Sequence, residues 1–221
     1  MRKRYSQQLE ILHSEMVEMG ELCEASIKYA MQGLLTADLE QANRATQLSH
    51  ELDDKERNIE SLCLKMILQQ QPVAGDLRQI SAALKMITDM ERIGDQAEDI
   101  AEISKLNDIS KWAKTIPVEE MSKVVMKMVT QSVDAYVNND ITLAKEVIVN
   151  DDMADNYFDE IKECLIERIS SDRESGEYAI DLLMISKYLE RIGDHATNIA
   201  EWVEYSVTGI HKGNPDQLGL L

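Results

Sequence analysis

Apolar residues recur every three or four positions along most of this chain, the spacing of helices that each bury one stripe. Leu9, Leu12, Met16, Met19, Cys23, Ile27, Ala30 and Leu34 define a first helix from about Ser6 to Leu35. Leu48, Leu52, Ile59, Leu62 and Met66 define the inner face of a second, ending near Gln70 before Pro72 and Gly75. Asp38 is its predicted N-cap, with Gln41 placed as in a capping box. A third helix is predicted from about Asp76 to Leu106. The segment from Asn107 to Pro117 interrupts the periodicity and is the expected boundary between two halves. Beyond it, Met121, Val124, Val125, Met128, Val133 and Tyr136 mark a fourth helix, with Pro117 in its first turn. Asn139-Asp140 ends that helix and caps a fifth, carrying Val147, Ala154, Phe158, Ile161 and Leu165. Ser170 to Gly176 makes a turn, and a sixth helix runs from about Glu177 to Val207, stopped by Gly209. Gly213-Asn214-Pro215 begins an expected frayed tail.

The two halves are related in sequence. Glu91-Arg92-Ile93-Gly94-Asp95 returns letter for letter at Glu190-Arg191-Ile192-Gly193-Asp194, from residue 91 to residue 190, an interval of 99. Ala97, Ile100, Ala101 and Glu102 then match Ala196, Ile199, Ala200 and Glu201. Self-similarity at one register marks a duplicated structural unit. The caps Asp38 and Asp140 correspond too, placing Asp53 over Asp155. The fold class expected is therefore all-α, with six long helices forming two tandem three-helix bundles, divided as 1–110 and 111–221.

The repeated stretch carries a second stripe that a core does not need. Met86, Met90, Ile93, Ala97 and Ile100 line one side of the helix. Glu91, Asp95, Glu98, Asp99 and Glu102 lie nearly opposite, and Glu190, Asp194, Asn198 and Glu201 do so in the second copy. Like charges at i,i+4 each cost a helix about 0.2–0.5 kcal/mol. An oxygen-ligated hard cation would offset that cost. The first candidate metal set is Glu91 and Asp95 with Asp99, and Glu190 and Asp194 with Asn198. The second lies on the fifth helix, where Asp151 and Asp155 also stand one turn apart. Their first-half equivalents are Ser49 and Asp53, so the first half is expected to bind metal differently or less tightly. The plain alternative is a solvated acidic face.

The remaining features narrow the class further. Net charge over 221 residues is −18, which opposes binding to nucleic acid or to an anionic membrane surface and suits cations or basic protein surfaces. Gly (9) and Pro (3) are sparse enough to leave long helices unbroken. Cys23, Cys63 and Cys164 contain no CxxC pair and are read as structural thiols in a reducing compartment. The basic start of the chain is not followed by an apolar segment, and no run of about 18 apolar residues occurs. A soluble, cytoplasmic protein is expected. Gly94 and Gly193, in mid-helix, are read as sites of tight packing. Arg92 and Arg191 are read as local charge balance, and His195 as a surface residue. The lone Glu10-Ile11-Leu12-His13 is too little for a ferritin-like di-iron site. No phosphate-binding loop, dinucleotide fingerprint or GxSxG motif is present.

With the paired ERIGD motifs in hand, the chain resembles the PhoU family. Pro72-Val73-Ala74-Gly75-Asp76-Leu77-Arg78 is similar to that family's PxAxDLR turn, and Tyr205-Ser206-Val207-Thr208-Gly209 to its C-terminal end. The family's E(D)xxxD pattern is met at Glu91–Asp95, Asp151–Asp155 and Glu190–Asp194, with Ser49 as the departure. The resemblance implies two three-helix bundles, iron or zinc clusters on the acidic faces, and a homodimer. It implies a non-enzymatic negative regulator of phosphate uptake and of the phosphate-starvation response. The implied partners are the ATPase subunit of the phosphate ABC transporter and a phosphate sensor histidine kinase, with membranes met only through them. Two other readings of the acidic stripes are a carboxylate-bridged metalloenzyme and a metal-free helical scaffold.

Overall fold

The computed structural model describes residues 2–70, 72–172 and 175–210, and every regular element among them is helical. The helices are α1 (Arg2–Thr36), α2 (Leu39–Gln70), α3 (Ala74–Leu106), α4 (Ser110–Ala113), α5 (Val118–Asn138), α6 (Ile141–Ser171) and α7 (Gly176–Thr208). α1, α2 and α3 pack together, as do α5, α6 and α7. The two bundles join where α3 lies on α7 and α1 on α5. The tail beginning at Gly213 lies outside the described residues.

The predicted stripes form the core. Leu12, Met16, Met19, Cys23 and Ile27 of α1 are fully buried, as are Leu52, Ile59 and Met66 of α2 and Met86, Met90 and Ile93 of α3. Ile192, Ala196 and Ile199 of α7 do the same for the second bundle. Buried residues of both bundles belong to one continuous apolar cluster. Met contributes heavily along the seam because an unbranched side chain fills the irregular gaps between crossing helices. Cys23 and Cys63 are buried and unpaired. Burial pushes both thiols up, Cys63 to about 12, so neither is a thiolate near neutrality.

The caps repeat as predicted. Asp38 Oδ1 accepts from the amides of Glu40 (2.9 Å) and Gln41 (3.4 Å), and Asp140 Oδ1 from those of Thr142 (2.9 Å) and Leu143 (3.0 Å). The preceding residues, Ala37 and Asn139, both adopt left-handed backbone, with φ of 55° and 52°. One tight helix–helix turn is thus used twice.

The boundary segment is more ordered than its broken periodicity suggests. It holds the one-turn helix α4, with Ile109, Ala113 and Ile116 buried. Trp112 stacks on Tyr178 of α7 (centroids 5.9 Å), and the Arg168 guanidinium lies 4.6 Å from the Trp112 centroid. The apolar signal here spans barely one turn, too short to register as an element.

The two family-like stretches at residues 72–78 and 205–209 meet in space. Gly209 caps α7 with φ of 77°, and a Cβ there would lie 3.5 Å from an Arg78 guanidinium nitrogen. Arg78 thereby sets a cation at the negative end of the α7 dipole.

Candidate metal centre

The apolar stripes fix how each bundle's helices turn, and that turn brings the carboxylates of neighbouring helices together at the bundle surface. On the first bundle, Asp53 of α2 meets Glu91 and Asp95 of α3. One ligand oxygen from each lies within 4.8 Å of the others, close enough to share one ion. None of the three forms an ion pair among the described residues. Partial burial, then Asp95, Glu56 and Asp53 nearby, raises the Glu91 pKa. Partial burial and the Asp53 charge raise that of Asp95, and the Ser49 hydroxyl opposes the rise.

Ser49 therefore does not leave the first site without a third acid. It sits buried beside Asp95, while Asp53 completes the trio. Asp53 is the counterpart of Asp155, so the position equivalent to Asp151 carries no acid in the first half, which gathers three carboxylates where the second gathers four.

On the second bundle, Asp151 and Asp155 of α6 face Glu190 and Asp194 of α7. Asp151 is pushed up to about 6 by burial and by the charges of Asp155 and Asp194. Thr197 sits close enough to lower it somewhat, although no hydrogen bond of ordinary geometry links the two. Asp155 is raised by burial and then by Glu190, and Asp194 by burial, Glu190 and Asp155. This set already holds a cation at its edge. Lys187 Nζ pairs with Glu190 at 2.5 Å and lies 5.4 Å from the Phe158 ring centroid. The first-bundle position equivalent to Lys187 is Thr88, which bonds Glu56 and carries no charge.

Asp99 and Asn198 take different positions from the rest of the predicted set. Both lie where α3 and α7 cross. Asp99 is raised by burial and by Asp95, with Arg191 opposing. Asn198 Nδ2 donates to Asp89 Oδ1 across the seam at 3.3 Å. His195, expected on the surface, is largely covered. Its Nδ1 lies 2.9 Å from the same Asp89 oxygen, and the two side chains are 16% and 10% exposed. Asp89 is itself buried, so both α7 residues serve to satisfy it.

The paired glycines have unequal surroundings. A Cβ on Gly94 would stand 2.6 Å from Leu52 Cδ1, whereas one on Gly193 would find Asp151 Oδ1 and Val125 at 3.5 Å. Gly94 permits close approach of α2. Gly193 needs no such clearance.

Sequence reasoning missed Glu56, Lys187 and Asp89. Glu56 stands three residues after Asp53 and Lys187 three before Glu190, so helical spacing alone could have added them. Nothing in the sequence marks Asp89 as buried and paired with the other repeat.

The donors suit a hard cation. They are carboxylate oxygens, poorly compensated and partly dehydrated, from two helices held at fixed separation. His195, the nearest imidazole in sequence, is committed to Asp89. An all-carboxylate shell suits iron, and zinc also accepts carboxylate oxygens.

Comparison with known proteins agrees with this architecture. A profile of the PhoU domain matches twice, over residues 16–104 and 118–203. The chain is 37% identical over 210 residues to a phosphate-specific transport system accessory protein PhoU homolog of Clostridium acetobutylicum, covering 94% of this chain and 96% of that one. It is 31% identical over 209 residues to the homolog of Pseudomonas aeruginosa, covering 94% and 86%. The crystal structure of PhoU from Pseudomonas aeruginosa superposes with a TM-score of 0.84 at 30% identity, over 93% of this chain and all of that one. PhoU from Streptococcus pneumoniae shares the fold, with a TM-score of 0.83 at 22% identity over 94% and 98%. The curated relatives are named as accessory proteins of a transport system, and the family is a regulatory and accessory family rather than an enzyme family. Two matched domains, two bundles and two ERIGD motifs place this chain in the PhoU family.

Proposed function

We propose that the chain is a cytoplasmic, metal-binding adaptor of a phosphate-specific transport system, and that it represses phosphate uptake and the phosphate-starvation response. The relatives' role as accessory proteins of that system supports the setting. The observation that carries the metal reading is the Asp53–Glu91–Asp95 trio, three poorly compensated carboxylates with oxygens within 4.8 Å.

In this reading Asp53, Glu91 and Asp95 hold iron, or zinc, on the first bundle, and Asp99 extends the site toward the seam. Asp151, Asp155, Glu190 and Asp194 do so on the second, with Lys187 displaced and Asn198 at the margin. A bound cation neutralises the carboxylate face. That face then docks the transporter's ATPase subunit and a sensor histidine kinase, with the chain acting as a homodimer. No helix among the described residues is long and apolar enough to cross a membrane. In this reading, membrane contact is made by the partners.

The test is elemental analysis of untagged protein purified without chelators, beside the Glu91/Asp95/Glu190/Asp194 quadruple alanine variant. Iron or zinc in the wild type, absent from a variant that remains helical and no longer represses the phosphate response, is expected. Wild-type protein that stays free of metal after incubation with either ion would overturn the metal reading. The acidic faces would then be electrostatic docking surfaces for a basic partner.

A further inference from the structure

The two arginines of the ERIGD repeat oppose the charge of the acids near them, Arg92 at Glu91 and Asp95 and Arg191 at Asp99, without pairing to any of them. The chain has 41 acidic and 23 basic residues, so most cations are expected to find a carboxylate. Lys187 reaches Glu190, Lys105 reaches Glu102, and Arg44 reaches Glu51, each within 3 Å. Arg92 and Arg191 form no ion pair or hydrogen bond among the described residues. Instead both line one groove of about 640 Å3 between α3 and α7, with Gln96, Asp194, His195 and Asn198.

That groove lies on the pseudo-twofold axis of the molecule. α3 and α7 run antiparallel, since Asp89 meets His195 and Asn198 while Asp99 lies near Arg191. A shift of 99 residues carries Arg92 onto Arg191 and Gln96 onto His195. Each repeat thus contributes one guanidinium and one further polar side chain at equivalent positions. Gln96 also lines the groove, but its Oε1 atom is closed off from it and has no hydrogen-bond partner. His195 has Nδ1 committed to Asp89, leaving Nε2 as its other polar atom.

We propose that this groove binds a phosphate group, held between Arg92 of the first repeat and Arg191 of the second. Two guanidiniums lining one groove from antiparallel helices match a dianion whose oxygens point in several directions. Each fork can take two of those oxygens. A planar monoanionic carboxylate would satisfy only one of them. Asp194 lines the same groove and Asp99 lies near Arg191, so both guanidiniums are needed to offset the carboxylates for an anion to enter. The phosphate is free inorganic phosphate or the monoester of a phosphorylated side chain. Either would tie the two repeats together across the seam and stabilise the fold by mass action.

The test uses full-length protein stripped with chelator, so that binding at a metal is excluded and the outcome does not depend on the metal reading. Calorimetric titrations employ inorganic phosphate, N-acetyl-phosphoserine amide, sulfate and acetate at constant ionic strength. Binding of at least one phosphate probe is expected, together with a phosphate-dependent rise in melting temperature. Arg92→Gln and Arg191→Gln should each weaken binding by about tenfold or more, and the double variant should abolish both effects. Both arginines are exposed, so these variants keep the fold, which circular dichroism verifies. Arg→Lys at either position keeps the charge and loses the fork, and should fall between wild type and Gln. Tighter binding of free phosphate assigns that source, and tighter binding of phosphoserine assigns a phosphorylated partner. Sulfate binding through the same arginines supports a site that reads tetrahedral oxyanions. Absence of binding by both phosphate probes at millimolar concentration, binding unchanged in the double variant, or acetate bound as tightly as phosphate would each overturn the proposal.

Discussion

Asp151 shows at one residue how the acidic face works against the fold. Its pKa lies near 6 in the folded chain instead of the ordinary 3.8. An acid raised on folding binds its proton more tightly in the native state. Its contribution is therefore neutral below the unfolded value and destabilising once the pH passes the folded one. Asp151→Asn should stabilise chelator-stripped protein by about 1 kcal/mol near neutral pH, a figure reduced for solvent screening. The gain should vanish below about pH 4, and urea unfolding at the two pH values measures it. A gain that persists in acid would mean the charge is not its source. The glycines give a second test at this scale. Gly94→Ala forces a methyl against Leu52, which is itself fully buried, and should cost about 1–3 kcal/mol. Gly193→Ala meets only ordinary contacts and should be neutral or gain up to about 1 kcal/mol from helix propensity. Equal effects at the two sites would refute the packing difference.

At the scale of elements, the recurring device is the helix turn ending in a left-handed residue and an aspartate cap. Asn139 adopts this backbone readily, whereas Ala37 bears a Cβ that clashes with its own carbonyl. Ala37→Gly should stabilise the protein by about 0.5–1 kcal/mol, read as a raised urea midpoint. Asn139→Ala should lose a similar amount. The periodic stripes made every long helix legible, and their ends agree with the structure to within a few residues. α4 was not legible, because a four-residue helix with Ile109 and Ile116 outside it cannot be told from a loop until Trp112 is seen against Tyr178. The metal-site elements were partly legible. The i,i+4 carboxylates announce a shared face, but which helix supplies the third acid depends on how α2 crosses α3.

For the whole molecule, the seam between α3 and α7 is where the duplication departs from symmetry. Asp89 corresponds to Tyr188, and His195 to Gln96, so only one side of the pseudo-twofold carries a buried carboxylate with an imidazole partner. His195→Ala leaves Asp89 with Asn198 alone, at 3.3 Å, and should destabilise the protein by about 1–3 kcal/mol. His195→Ala in an Asp89→Asn background should cost much less, and a double-mutant cycle by urea unfolding gives that difference. An additive cycle would show that the pair does not couple the repeats.

The sequence alone determined the helical class, the twofold repeat, the inner face of every long helix and the residue types of the acidic stripes. These follow from local periodicity and identity, which need no knowledge of neighbours. Tertiary structure decided that Asp53 joins Glu91 and Asp95, that Lys187 enters the second cluster, and that His195 turns inward to Asp89. It also brought Arg92 and Arg191 to one shared groove. Such outcomes depend on the rotation of one helix against another. That rotation is set by packing across the whole core, of which the close approach of Leu52 to Gly94 is one contact.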